Sequence, residues 1–192
     1  MQNILKTIGN GYYLYQPTRV LLTILQERNV LAVSRIQTHQ FFYLSGNGGG
    51  YSDRICEVPS GKGLLIPVMV VEWSDKEVPN ASVEELHKSA KKDQDSVNSL
   101  YLKIGDKEYQ YEDLLKYRTH TDDFEVVFPD NGLFGVIEGG LSKVVADGFY
   151  IITEPLVKGS YPIHFKSSLI CLDPDCAEPN FATDIKYNVI AE

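Results

Sequence analysis

Cysteine is scarce in this chain, with three residues at Cys56, Cys171 and Cys176. An odd and small number excludes a dense disulfide framework. A Cys171–Cys176 bridge around Leu-Asp-Pro-Asp and free thiols in a reducing compartment both fit the spacing. The wide gap is not that of a zinc knuckle, and no second pair completes four ligands. Positive charge is also short: 18 Lys and Arg stand against 26 Asp and Glu, for a net charge of −8. Such a surface repels phosphate backbones, so nucleic acid is not an expected partner. The densest basic group, Lys88, Lys91 and Lys92, reads as the wet face of a helix. Long apolar runs are missing. Val20 to Leu25 is far too short to span a bilayer, and Glu27 and Arg28 follow it. Met1 to Ile8 lacks the basic start and apolar core of a secretory leader. The expectation is a soluble protein, cytoplasmic or exported, with no transmembrane segment.

Aromatic residues are plentiful, with 12 Tyr and 8 Phe against one Trp and two Met. That mixture suits sandwiches and barrels. The chain is organised around Val144 to Phe165. Val144 to Thr153 is apolar, β-branched and aromatic, interrupted only by Asp147-Gly148. Pro155 cannot donate to a ladder and closes this strand. Lys158-Gly159 supplies a turn. Tyr161, Ile163 and Phe165 then point to one face, with Pro162, His164 and Lys166 on the other. A Leu, a turn Gly and a Tyr two residues on resemble the tyrosine corner of immunoglobulin-like sandwiches, where the hydroxyl bonds to backbone just upstream. Pro162 suits an edge or an unbonded ladder position.

The rest of the chain gives the same class. Met1 to Gly11 reads as an N-terminal arm. Tyr12 to Tyr15 and Arg19 to Gln26 fit strand or short helix; Val30 to Ile36 and His39 to Leu44 fit strands. Ser45 to Gly50 is a glycine-dense hairpin loop. A phosphate cradle needs a helix after such a loop, and here a strand at Ile55 to Val58 follows. Pro59 to Gly63 is a turn into Leu64 to Val71, a strand buried on both faces, with a bulge or an edge position at Pro67. Ser82 and Glu85 form a capping box for one helix, with an apolar stripe through Val83, Leu86, Ala90, Val97 and Leu100. Tyr101 to Ile104 and Glu108 to Tyr111 make a hairpin, and Glu112 to Tyr117 one helical turn. Phe124 to Phe128 and Leu133 to Ile137 are strands, and Thr183 to Ile190 is the last. Many short strands and one long helix predict an antiparallel two-layer β-sandwich, jelly-roll-like or immunoglobulin-like, in a single domain over residues 1–192, with the helix packed on it.

Four stretches carry a resemblance. They are FFYLSGNGGGYSDRICEVPSGKGLLIPV from Phe41, the capped helix from Ser82, FEVVFPDNGLFGV from Phe124, and VADGFYIITEPLVKGSYPIHF from Val145. In these the chain resembles a family of uncharacterised prokaryotic β-rich proteins, many of which look exported. The resemblance runs from Phe41 to the C-terminus. It implies a β-rich fold and no particular activity.

Polar residues beside core strands are the candidates for chemistry. Arg54 and Glu57 are read as sharing one face of a strand. Glu72 and Glu77 flank Trp73, and as two carboxylates beside a stacking ring they are candidates for acid–base attack on a glycoside. Asp147, His164 and Glu154 offer oxygen and imidazole to a metal, without a paired-His motif to support it. Arg118 precedes the polar run His120 to Asp123. No Gly-x-Ser-x-Gly elbow is present. The bland reading of all of these is paired polar groups pinning loops, with Asp147-Gly148 a bulge. The expected function is a non-enzymatic binding module for carbohydrate or another protein, without cofactor or metal. A glycoside hydrolase or metal-dependent enzyme on the same scaffold is the alternative.

Overall fold

The computed structural model describes residues 6–8, 12–14, 41–128, 130, 138–170 and 180–192. Among the described residues twelve strands form two sheets: β1 (Lys6–Ile8), β2 (Tyr12–Leu14), β3 (Phe41–Tyr43), β4 (Gly50–Val58), β5 (Gly63–Ser74), β6 (Val97–Ile104), β7 (Lys107–Tyr109), β8 (Arg118–His120), β9 (Phe124–Phe128), β10 (Gly140–Ile152), β11 (Gly159–Ile170) and β12 (Asn180–Ala191). Helix α1 (Val83–Asp95) and the short α2 (Tyr111–Leu114), which runs into a 3-10 turn, complete the described elements. The first sheet runs β1-β2-β10-β5-β3, with β8 and β9 also pairing to β10. The second runs β4-β12-β11-β6-β7. The protein is thus mainly β in two layers, as expected. Both sheets are mixed rather than wholly antiparallel, because β3 joins β5 and β4 joins β12 in parallel. The loop Ser45 to Gly49 is accordingly a passage from one sheet to the other and not a hairpin.

The organising stretch is the principal crossing between layers. β10 is the hub of the first sheet and β11 sits at the middle of the second. Tyr161 donates its hydroxyl to the Val157 carbonyl at 2.8 Å, the upstream bond of a tyrosine corner. Ile163, Phe165 and Ser167 face inward and Pro162 and Lys166 outward, as the alternation requires. Pro162 is tolerated because the β6 ladder begins only at Ile163, and its carbonyl instead accepts from Gly105 in the β6–β7 turn. Pro67 lies at a bulge in β5. Phe149 stands opposite Met69 and Tyr150 opposite Pro67, so Val68 is the extra residue.

The interior lies between the sheets, built from Leu64, Ile66, Val68, Phe149 and Ile151 on one side and Leu102, Ile163, Phe165, Ile185 and Val189 on the other. Helix α1 covers the same face of the first sheet further along β10, packing Leu86 and Ala90 on Val145 and Trp73. The opposite face carries a second buried cluster, with Leu65, Phe124, Val126, Val144 and Tyr150. The Ser82–Glu85 capping box forms as read. The helix stops at Asp95, however, and Val97 and Leu100 belong to β6. The arm at the N-terminus contributes a strand, Lys6–Ile8, paired with Tyr12–Leu14. The readings at Arg19 to Gln26, Val30 to Ile36, Leu133 to Ile137 and the Cys171–Cys176 pair lie outside the described residues. Among the described residues no helix is long and apolar enough to cross a membrane.

Candidate functional site

The candidate residues occupy separate places and do not form one cleft. Arg54 points inward from β4. Its Nη1 lies within hydrogen-bond distance of the Tyr187 hydroxyl (2.7 Å), the Ser45 carbonyl and hydroxyl (3.0 Å each) and the Gly46 carbonyl (3.1 Å). The guanidinium also lies over the Tyr187 ring, 5.4 Å from its centre. Arg54 therefore pins the glycine-rich passage to the second sheet. Glu57 does not share its face. The two are three residues apart, an odd step in a strand, and Glu57 points outward, exposed.

Arg118 and Asp147 meet on the inner face of the first sheet. Nε and Nη2 of Arg118 donate to the two Asp147 oxygens at 2.9 and 2.8 Å, and Nη1 donates to Asp95 of α1 at 2.7 Å. Asp147 is thus a lock between β8, β10 and α1. It is not a bulge, since its pairing to Val71 is regular and the irregularity comes two residues later. Gly148 beside it has a different task. A Cβ there would lie 2.8 Å from Val70 Cγ2 and 2.9 Å from both the Met69 carbonyl and the Tyr150 ring. The Tyr150 ring needs that space.

Glu72 and Glu77 do come together, on the other face of the sheet. Glu72 stands opposite Ala146, on the side of Val144 and Tyr150. Both its oxygens are buried, and among the described residues no N–H or O–H reaches them. The group they meet is the Glu77 carboxyl, which itself accepts from Ser74 Oγ at 2.6 Å. Two carboxylates cannot bond to each other, but one shared proton lets Glu72 donate to Glu77. Burial, and then the charge of Glu77, push the Glu72 carboxyl up to about 9. Burial also raises Glu77, against the bonds from Ser74 and Glu72. Glycoside hydrolysis needs two carboxyls about 5–9.5 Å apart across an open bond. These two instead face one another, with both Glu72 oxygens shut off from solvent. Trp73 is no stacking platform either. It lies against α1 and donates Nε1 to Asp93 at 2.8 Å.

His164 stands on the outer face of the second sheet, 2.7 Å from Asp184 and edge-on to Tyr101 with ring centres 5.6 Å apart. It is in a different sheet from Asp147, and among the described residues no three His, Cys, Asp or Glu side chains gather where a metal ion would sit. Its surroundings are an open, chemically varied surface. Strand registers set two rows across the sheet: Tyr51, Asp184, Lys166 and Tyr101, then Asp53, Lys186, His164, Lys103 and Glu108. Asp184 accepts from Lys166 at 3.0 Å as well as meeting His164. Burial raises its carboxyl, but these two bonds outweigh it and hold the group below its ordinary range. Lys103 pairs with Glu108 at 2.7 Å, and Lys186 lies over the Tyr51 ring. Only His164 of this surface was singled out in the sequence. The alternation in β11 and β12 marks the outward residues, but the registers that align them are set by distant pairing.

Comparison with protein-family models, curated proteins and solved structures finds no match to this chain.

Proposed function

We propose that the protein is a non-enzymatic carbohydrate-binding module whose ligand lies across the outer face of the five-stranded sheet. The observation that supports this is the row from Tyr51 to Tyr101. Two phenolic rings close its ends, three strand spacings or about 14 Å apart. Tyr51 is 60% exposed. Between them stand Asp184 and Lys166, with His164 in the adjoining row, side chains that donate to and accept from hydroxyls. A sugar offers both surfaces this row answers: an apolar ring face for stacking and hydroxyls for bidentate polar contact. The groups are held in place before any ligand arrives by the His164–Asp184 and Lys166–Asp184 contacts, which lowers the ordering cost of binding.

The test is a glycan array followed by titration calorimetry on whatever oligosaccharide is retained. Tyr101→Ala is expected to weaken that binding at least tenfold, with no reducing sugar released by the parent protein. Retention of no glycan, or equal retention by Tyr101→Ala, would overturn the proposal.

A further inference from the structure

We propose that the free edge of β4 takes up, by strand addition, an extended segment of another protein in which basic residues lie two positions on either side of an apolar one.

β4 has β12 along one side and, among the described strands, nothing along the other. Its nine residues make an edge about 30 Å long at 3.3 Å per residue. The pairing to β12 is unbroken from Gly50 to Val58, so no bulge twists this edge away. Lysine, proline and bulges are among the devices that blunt such edges; β4 has none of these, its outward charges are both negative, and its inward charge, Arg54, is taken up by Ser45, Gly46 and Tyr187. Its outward side chains are Tyr51, Asp53, Ile55 and Glu57. Ile55 is 76% exposed, which is costly for a branched aliphatic group with no partner. Asp53 and Glu57 flank it on the same face. Neither forms an ion pair with a described residue; Asp53 only accepts from the Tyr51 hydroxyl at 3.1 Å.

Charge decides the occupant. A second copy would have to pair antiparallel about a twofold axis through one residue of β4. Centred on Ile55, that arrangement sets Asp53 against Glu57 of the other copy. Centred on Arg54, it brings two guanidiniums together, and centred on Asp53 or Glu57, two carboxylates; centred on Ser52 or Cys56, the overlap falls to five residues, with Ile55 left outside it or set against Glu57. Like charges directly opposite are destabilising, and the chain already carries −8. A foreign strand with an apolar residue opposite Ile55 and Lys or Arg opposite Asp53 and Glu57 satisfies these three outward positions. Its backbone would satisfy the edge N–H and C=O groups.

The experiment uses the full chain and three fluorescent nonapeptides: one with Lys two positions either side of a central Val, one with Glu in place of Lys, and the Lys peptide with proline beside the Val. Anisotropy should show the Lys peptide binding at least tenfold more tightly than the other two. In Asp53→Lys/Glu57→Lys, folded by circular dichroism, the preference should reverse toward the Glu peptide. Equal binding of the proline-interrupted peptide would reduce the effect to charge attraction and overturn strand addition. So would an unreversed preference, absence of binding, or sedimentation as a dimer that Ile55→Lys converts to monomer. Tyr101→Ala should leave peptide binding unchanged, so this result and the carbohydrate result can fail separately.

Discussion

Arg118 grips Asp147 through two parallel N–H···O bonds, at 2.9 and 2.8 Å, and Asp147 is only 6% exposed. Breaking such a pair from the cationic side strands a buried negative charge. Arg118→Ala should therefore cost about 2–3 kcal/mol in urea unfolding, somewhat below a fully buried pair because the guanidinium is partly solvated. Asp147→Asn should cost less, since Asp95 still holds the arginine. The double variant should be less destabilised than the sum, and a double-mutant cycle measures the difference.

The Glu72–Glu77 pair makes stability fall with rising pH. Glu72 has an ordinary value of 4.5 and a folded value of about 9, so the native state holds a proton that the unfolded chain releases. This contribution is complete below pH 4.5 and is lost progressively up to about pH 9. The slope is at most about 1.4 kcal/mol per pH unit. Glu72→Gln keeps a neutral donor there and should flatten the profile, leaving the variant more stable than the parent at pH 8. Denaturant midpoints between pH 5 and 9 measure it; a parallel pair of profiles would refute the shared proton.

Gly148→Ala should cost about 2 kcal/mol, because the added methyl meets a backbone carbonyl and a packed ring that cannot both move aside. Thermal unfolding reads this directly. A paired Tyr150→Leu substitution should recover part of the loss, as the ring is one of the three obstacles.

Cys56 should alkylate slowly. Burial, with the nearby Glu57 charge second, pushes its thiol up to about 11, so little thiolate exists at pH 8. Mass spectrometry after iodoacetamide treatment should show this site largely unmodified in the native protein and fully modified in urea.

Local pattern disclosed much of this molecule. Tyr161, Ile163 and Phe165 alternate cleanly, and the turn before them is marked by Pro155 and Gly159, so the corner between layers could be read from adjacent residues. Ser82 and Glu85 announced the helix because a capping box is a four-residue object. The end of that helix was misread for a physical reason. β6 contains a bulge, with Ser99 opposite Ser168 and Val97 opposite Leu169, so Asn98 is extra. Val97 and Leu100 both point inward at a spacing of three, which imitates helical period. The parallel pairings, the Arg118–Asp147 lock and the alignment of Tyr51 with Tyr101 join residues far apart in the chain. No local chemistry encodes them.

The place of β12 has a consequence for how the molecule is made. This strand, over Asn180–Ala191, runs between β4 and β11 and pairs with both along nearly its whole length. Until residue 191 has been synthesised, the inner edges of both neighbours remain open, and the half of the interior that Ile185, Tyr187 and Val189 fill is hollow. The second layer therefore closes only by insertion of this strand between two made before it, and until then the nascent chain carries an exposed slot of its own that a chaperone or a stray strand can enter first.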